Sequence, residues 1–136
     1  MAILDNLQKY NSNGLLILRI GIGIMFIIHG FPKLFEGPQG WEAFGGSMKV
    51  IGVNFLPTFW GFMAAASEVV GGLLLFLGLF FRPALLLLIP TMFIATLVHF
   101  SKGEGLQEAS HAIELGIVFF SLLFIGPGKY SLDERL

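Results

Sequence analysis

Four long runs of apolar residues, each about as long as the path across a lipid bilayer, constrain this chain more than any other feature. The runs cover residues 15–34, 57–80, 84–100 and 110–125. A helix needs about 20 mainly apolar residues to cross the hydrocarbon core, and a helix satisfies its own backbone polar groups there. We therefore predict an all-α fold, an integral membrane four-helix bundle that forms a single domain over residues 1–136.

The composition agrees with a membrane location and excludes several kinds of chemistry. Of the 136 residues, 55% are hydrophobic and 12% are charged, and the mean hydropathy is +0.82. The net charge of -1 offers no basic stripe for phosphates, so we expect no nucleic-acid partner. The absence of cysteine excludes disulfides and thiolate metal or iron-sulfur sites. Any redox chemistry must therefore belong to a cofactor or a partner.

The boundaries of the runs leave some alternatives open. The first run lacks a small-residue cleavage site, so we expect a retained helix rather than a secretory signal. Pro90 predicts a kink in the third helix. The third and fourth runs are short, and a soluble core helix or a re-entrant segment is their alternative interpretation. Residues 36–56 are either an interfacial helix or a disordered loop weakened by Gly45 and Gly46.

Four spans place both termini on the same side of the membrane. That side carries four cations outside the spans: Lys9, Arg82, Lys129 and Arg135. The opposite side carries three: Lys33, Lys49 and Lys102. The positive-inside rule therefore predicts a multi-pass protein of the cell (inner) membrane with cytoplasmic termini.

Ionisable residues within the runs are the first candidates for function, because they are costly in hydrocarbon and usually face the bundle interior. Glu68 lies roughly 16 Å along its helix from Pro57, close to the midplane. There it either carries a proton or meets a cation, and Arg19 is the predicted cation. The pair is either a structural bridge that fixes helix register or part of an active site.

A second group is predicted at the opposite end of the bundle from Arg19. His29 is late in the first run, His99 ends the third, and His111 and Glu114 open the fourth. The spacing of His111 and Glu114 places both on one helical face, where they could meet a quinone oxygen or a proton path. The alternative is that His99 and His111 are interfacial anchors. A haem between two histidines is less favoured because only His29 is well inside the membrane, and no metal site is predicted.

An ordered set of residues spans most of the chain. Its members are Arg19, Gly23, His29-Gly30, Lys33-Leu34, Glu68-Val69-Val70-Gly71-Gly72, Gly78, Glu114 and residues 126–133, which read Gly-Pro-Gly-Lys-Tyr-Ser-Leu-Asp. This set resembles the DoxX family. The resemblance implies a small four-helix membrane protein linked to redox complexes that pass electrons to quinone. We expect the last eight of these residues to cap the fourth helix, with Asp133 bonding local amides.

The leading hypothesis is a redox-linked subunit, or a small oxidoreductase component, that binds a quinone or similar lipophilic molecule. The predicted catalytic residues are His29, Glu68 and Glu114; the predicted substrate-binding residues are Arg19, His29, Lys33, Glu68, His111 and Glu114. A membrane-associated or soluble redox enzyme is the expected partner besides the bilayer, and a homo-oligomer is left open. The alternatives are a noncatalytic membrane scaffold for a partner enzyme and a small-molecule or proton transporter.

Overall fold

The computed structural model describes residues 2–136 and contains no strand within them. Its α-helices are α1 (Ala2–Asp5), α2 (Asn11–Phe35), α3 (Gly37–Gly45), α4 (Pro57–Leu77), α5 (Phe81–Ser101) and α6 (Leu106–Ile125). Short 3-10 helices cover Asn6–Tyr10, Gly46–Ile51 and Asp133–Arg135. Helices α2, α4, α5 and α6 are long and apolar enough to cross a membrane, so the all-α prediction with four spanning helices is confirmed.

The spanning helices run alternately up and down, and small residues set their closest approach. A Cβ on Gly23 would collide with Gly72 of α4, and a Cβ on Gly30 would collide with Glu68 and Val69. In lipid, such close backbone contact favours helix association. We call the end with the start of α2 and residues 126–136 the tail end. The end with α3 is the cap end.

The helix ends differ from the predicted ones by up to four residues. Helix α4 ends at Leu77 because Gly78 takes a left-handed conformation with φ of 65°. Helix α5 begins at Phe81, since Pro83 falls in the first turn, where no amide donor is required. Helix α6 begins at Leu106, where the Glu108 carboxylate accepts a hydrogen bond from the Gly105 amide at 2.9 Å.

The segment between the first two spans was predicted to be either a helix or a disordered loop. In the structure it is helical. Helix α3 packs along the first half of α4, and the Gly46–Ile51 helix contacts α5. A Cβ on Gly45 would collide with the Pro57 carbonyl, and a Cβ on Gly61 would collide with the Trp41 carbonyl. Gly45 was expected to weaken a helix, but it instead allows α3 to lie directly against α4.

The C-terminal residues hold the tail end together. The Asp133 carboxylate accepts hydrogen bonds from the amides of Phe80 at 2.8 Å and Phe81 at 2.9 Å, which caps the start of α5. The prediction that Asp133 bonds local amides is therefore wrong, because these amides lie 53 and 52 residues away. The free amides at a helix start offered a stronger set of donors than the tail itself.

Candidate functional site

An ion pair joins α2 to α4, with a buried carboxylate and a lysine side chain that is 35% exposed. Lys33 Nζ is 3.0 Å from Glu68 Oε1 and 3.2 Å from Oε2, and Glu68 is only 7% exposed. Side chains lean towards the N-terminus of their helix. In α2 that direction runs from Lys33 into the bilayer, and in α4 it runs from Glu68 towards the cap end. The two side chains therefore lean towards each other across antiparallel helices.

The expected pairing of Arg19 with Glu68 is wrong. Gly30, not Arg19, lies level with Glu68, and Arg19 precedes Gly30 by 11 residues, or roughly 16 Å of helix rise. Its side chain also leans towards the tail end, away from Glu68. Arg19 is 1% exposed, and its Nη2 donates a hydrogen bond to the Tyr130 carbonyl at 2.8 Å. Arg19 therefore anchors the C-terminal residues.

A cavity of about 490 Å³ opens beside the ion pair, between α4, α5 and residues 36–56, which we call the cap segment. Its polar lining includes Lys33, Glu68, Ser47, Ser67, Thr91, His99 and Lys102. Helix α5 contributes Leu86, Leu87, Pro90, Ile94, Ala95 and Val98 to the apolar wall, and α4 contributes Trp60, Met63, Ala64 and Ala65. The cavity thus places a partly buried ion pair beside a mainly hydrocarbon surface.

Both tryptophans lie close to this cavity. Trp60 lines it, and the Trp60 indole nitrogen is buried without a hydrogen-bond partner among residues 2–136. Trp41 Nε1 donates a hydrogen bond to the Lys33 carbonyl at 3.2 Å. The two indoles therefore stand near the ion pair as intrinsic spectroscopic reporters.

The cap-end mouth of the cavity carries a second pair of polar groups. His99 lines the cavity, and its Nδ1 is hydrogen-bonded to Glu104 in the loop that follows α5. Lys102 lines the same mouth and is exposed. His99 is therefore tied to the loop as an interfacial anchor would be, and it also borders the cavity.

The other predicted site residues lie outside the cavity lining. The rings of His29 and His111 meet edge to face with centroids 6.2 Å apart, joining α2 to α6, and both residues are exposed. Glu114 is also exposed, on α6. Within the described part of the chain, no three histidine, aspartate or glutamate residues are placed to hold a metal ion. The predicted site residues thus lie in three separate places. Some line the cavity, some lie on the outer surface, and Arg19 lies at the tail end.

Sequence reasoning missed Ser47, Ser67 and Thr91 as lining residues. A signal for Thr91 was present, because α4 and α5 form an antiparallel hairpin around a short turn at residues 78–80. Counting outward from that turn places Thr91 at nearly the depth of Glu68. Ser47 had no such signal, since its position depends on how the cap segment folds over α4.

Comparisons with known proteins agree with the membrane fold. The family model described as DoxX matches residues 14–100. A Bacillus subtilis (strain 168) protein named "Putative oxidoreductase CatD" is 40% identical over 127 residues, covering 93% of this chain and 90% of the relative. Inner membrane protein YphA of Escherichia coli (strain K12) is 31% identical over 129 residues, covering 89% of each chain.

A second Escherichia coli (strain K12) relative, inner membrane protein YqjF, is 31% identical over 133 residues, covering 96% of this chain and 97% of the relative. No solved structure gives a significant match. The four spans and these relatives support a multi-pass inner membrane protein.

Proposed function

Because the chain belongs to the DoxX family of membrane proteins, we propose that it is a redox-linked subunit that binds a quinone, or a similar lipophilic ring, in the cavity beside Lys33 and Glu68. The observation that carries the proposal is the Lys33–Glu68 ion pair, with a buried carboxylate and a half-buried ammonium group, at the edge of a mainly apolar cavity. The name of one relative, "Putative oxidoreductase CatD", supports the redox part.

The cavity suits such a molecule in size and in chemistry. Its 490 Å³ falls within the range of about 300–1,000 Å³ that is typical of small-molecule sites. Such sites combine mainly apolar walls with a few placed polar groups, and here the α5 wall faces the ion pair. A flat ring with polar oxygens at its edge would use both surfaces.

The lining also indicates how a long-tailed molecule would reach the site. Met63, Leu86 and Leu87 line the cavity and are exposed on the outer surface of the bundle. In a bilayer that surface faces acyl chains, so the cavity opens sideways into the lipid. A hydrocarbon tail would remain in the membrane while the ring lies beside the ion pair.

Lys33 and Glu68 would perform the polar part of binding. Lys33 Nζ would donate a hydrogen bond to a ring carbonyl, and the Glu68 carboxylate would hold the ammonium group beside the same oxygen. A bound quinone would supply an acceptor for two electrons and two protons. The chain has no cysteine of its own, so we propose a redox enzyme as the partner that delivers the electrons.

Quenching of tryptophan fluorescence by a short-tailed benzoquinone analogue, in purified protein, tests the proposal directly. Hydrogen bonds to charged groups contribute about 1.5–3 kcal/mol, so Lys33→Met and Glu68→Gln should each weaken binding by about tenfold or more. Lys49→Met and Glu114→Gln are matched controls, because they make the same changes outside the cavity lining. Both controls should bind as the wild type does.

Two outcomes would contradict the proposal. Equal affinity in all five proteins would mean that the ion pair does not recognise the ring. No saturable quenching in the wild type would remove the quinone site, and recovery of a crosslinked enzyme by such a protein would favour the scaffold hypothesis instead.

A further inference from the structure

Glu114 occupies an unusual place for an acid in a membrane protein. It follows Leu106 by eight residues, so it lies about 12 Å along α6 from the cap end. Ionisable residues at such depths usually face the bundle interior, but Glu114 is exposed on the outer surface of α6. In a bilayer its carboxyl would lie against acyl chains unless another polypeptide covers it.

The chain itself does not neutralise this acid. The two ion pairs formed within residues 2–136 join Lys33 to Glu68 and His99 to Glu104, and neither includes Glu114. Two exposed imidazoles share this surface: His111, one turn nearer the cap end on α6, and His29, whose ring meets that of His111 from α2. This surface therefore carries a carboxyl group and imidazoles that the monomer leaves open to the membrane.

We propose that the outer face of α6 is an interface between two copies of this chain. Two copies inserted in the same direction are related by a twofold axis along the membrane normal, so residues of similar depth meet. Glu114 and His111 differ in depth by about 4.5 Å, which a side chain can span. Glu114 of each copy would thus hydrogen-bond His111 of the other copy, so the twofold axis gives two equivalent contacts.

The surface beside Glu114 has room for a neighbouring helix. An apolar groove of about 400 Å³ runs between α5 and α6. Its floor includes the small residues Thr96, Ala112 and Gly116. Small residues let transmembrane helices approach closely, and the groove would receive large side chains such as Phe120 from the second copy.

Charge complementarity favours a second copy over other occupants. An unrelated subunit would have to bring its own base to the depth of Glu114, whereas a second copy already carries His111 at a suitable depth. Acyl chains offer the carboxyl group no hydrogen-bond partner at all.

Cysteine crosslinking in native membranes tests this interface, because the chain has no cysteine to interfere. Ile117→Cys places a single thiol on the exposed face of α6, one turn beyond Glu114. Val70→Cys is the matched control, since Val70 is exposed on α4, which packs mainly against α2, α3 and α5. Copper-phenanthroline oxidation should give a dimer of the first protein at least fivefold more abundant than that of the second.

A further substitution in the cysteine protein distinguishes a specific contact between two copies from a chance collision. Adding Glu114→Leu or His111→Leu to the Ile117→Cys protein should reduce the dimer band severalfold, whereas adding Glu114→Gln, which still hydrogen-bonds, should preserve most of it. The circular dichroism of the purified variants checks that the helices remain folded. Equal crosslinking from both cysteines, crosslinking to a different protein, or dimer bands insensitive to both leucine substitutions in folded protein would each overturn the proposal.

Discussion

Lys33 shows how the direction of a side chain decides its role. Near the end of a spanning helix, a lysine is expected to extend outward to water. Here the N-terminal lean of α2 side chains takes the ammonium group inward to Glu68, and the same lean takes Arg19 away from it. Charge and depth alone suggested Arg19 as the partner, so the relative register of two helices decided the pairing.

Asp133 offers a test at the scale of one residue. Asp133→Ala removes the acceptor for two amides at the start of α5, and the loss of such a cap costs about 0.5–2 kcal/mol. We expect a lower midpoint of thermal unfolding in detergent. Glu134→Ala is the matched control, because Glu134 is exposed and its side chain caps no helix. An equal change in both variants would show that the cap contributes little.

At the scale of secondary structure elements, the cap segment determines whether a cavity exists. Helix α3 lies on α4 through glycine contacts, and the Gly46–Ile51 helix then extends to α5. Phe44, Ser47 and Met48 from this segment line the cavity at the cap end. The spanning helices supply the ion pair, but a nonspanning segment encloses it.

Gly45→Ala tests the packing of this segment. The added methyl group would collide with the Pro57 carbonyl, so α3 must shift from α4, at a cost of about 1–3 kcal/mol. We expect a lower unfolding midpoint and changed tryptophan fluorescence, since Trp41 lies on α3. Gly46→Ala is the matched control, because a Cβ there meets nothing within 4 Å. Similar behaviour of both variants would contradict the close contact.

For the whole molecule, the structure increases the difference in the number of cations between the two ends of the bundle. The charge of Lys33 is neutralised by its pairing with Glu68, so Lys33 no longer counts among the unpaired cations of the cap end. The cap end then has Lys49 and Lys102, whereas the tail end has four cations: Lys9, Arg82, Lys129 and Arg135. The difference rises from one charge to two in favour of the tail end.

The positive-inside rule therefore predicts that the tail end faces the cytoplasm. Alkaline phosphatase fused after Leu136 should be inactive, and a green fluorescent protein fused there should fluoresce. Insertion of the phosphatase at Gly103, in the loop between α5 and α6 at the cap end, should give high activity. The reverse pattern would place the termini outside and would contradict the prediction.

The sequence by itself determined the spanning helices and identified Glu68 as a candidate site residue, because the free-energy cost of a polar group in hydrocarbon depends on its position along one helix. Lys33 entered the predicted site only through the family resemblance, and Arg19 was assigned to the wrong partner. The tertiary structure alone decided which side chains meet, since this depends on helix register, on rotation and on close glycine contacts. Those same contacts enclosed a cavity at Lys33 and Glu68 and left Glu114 on the outer surface.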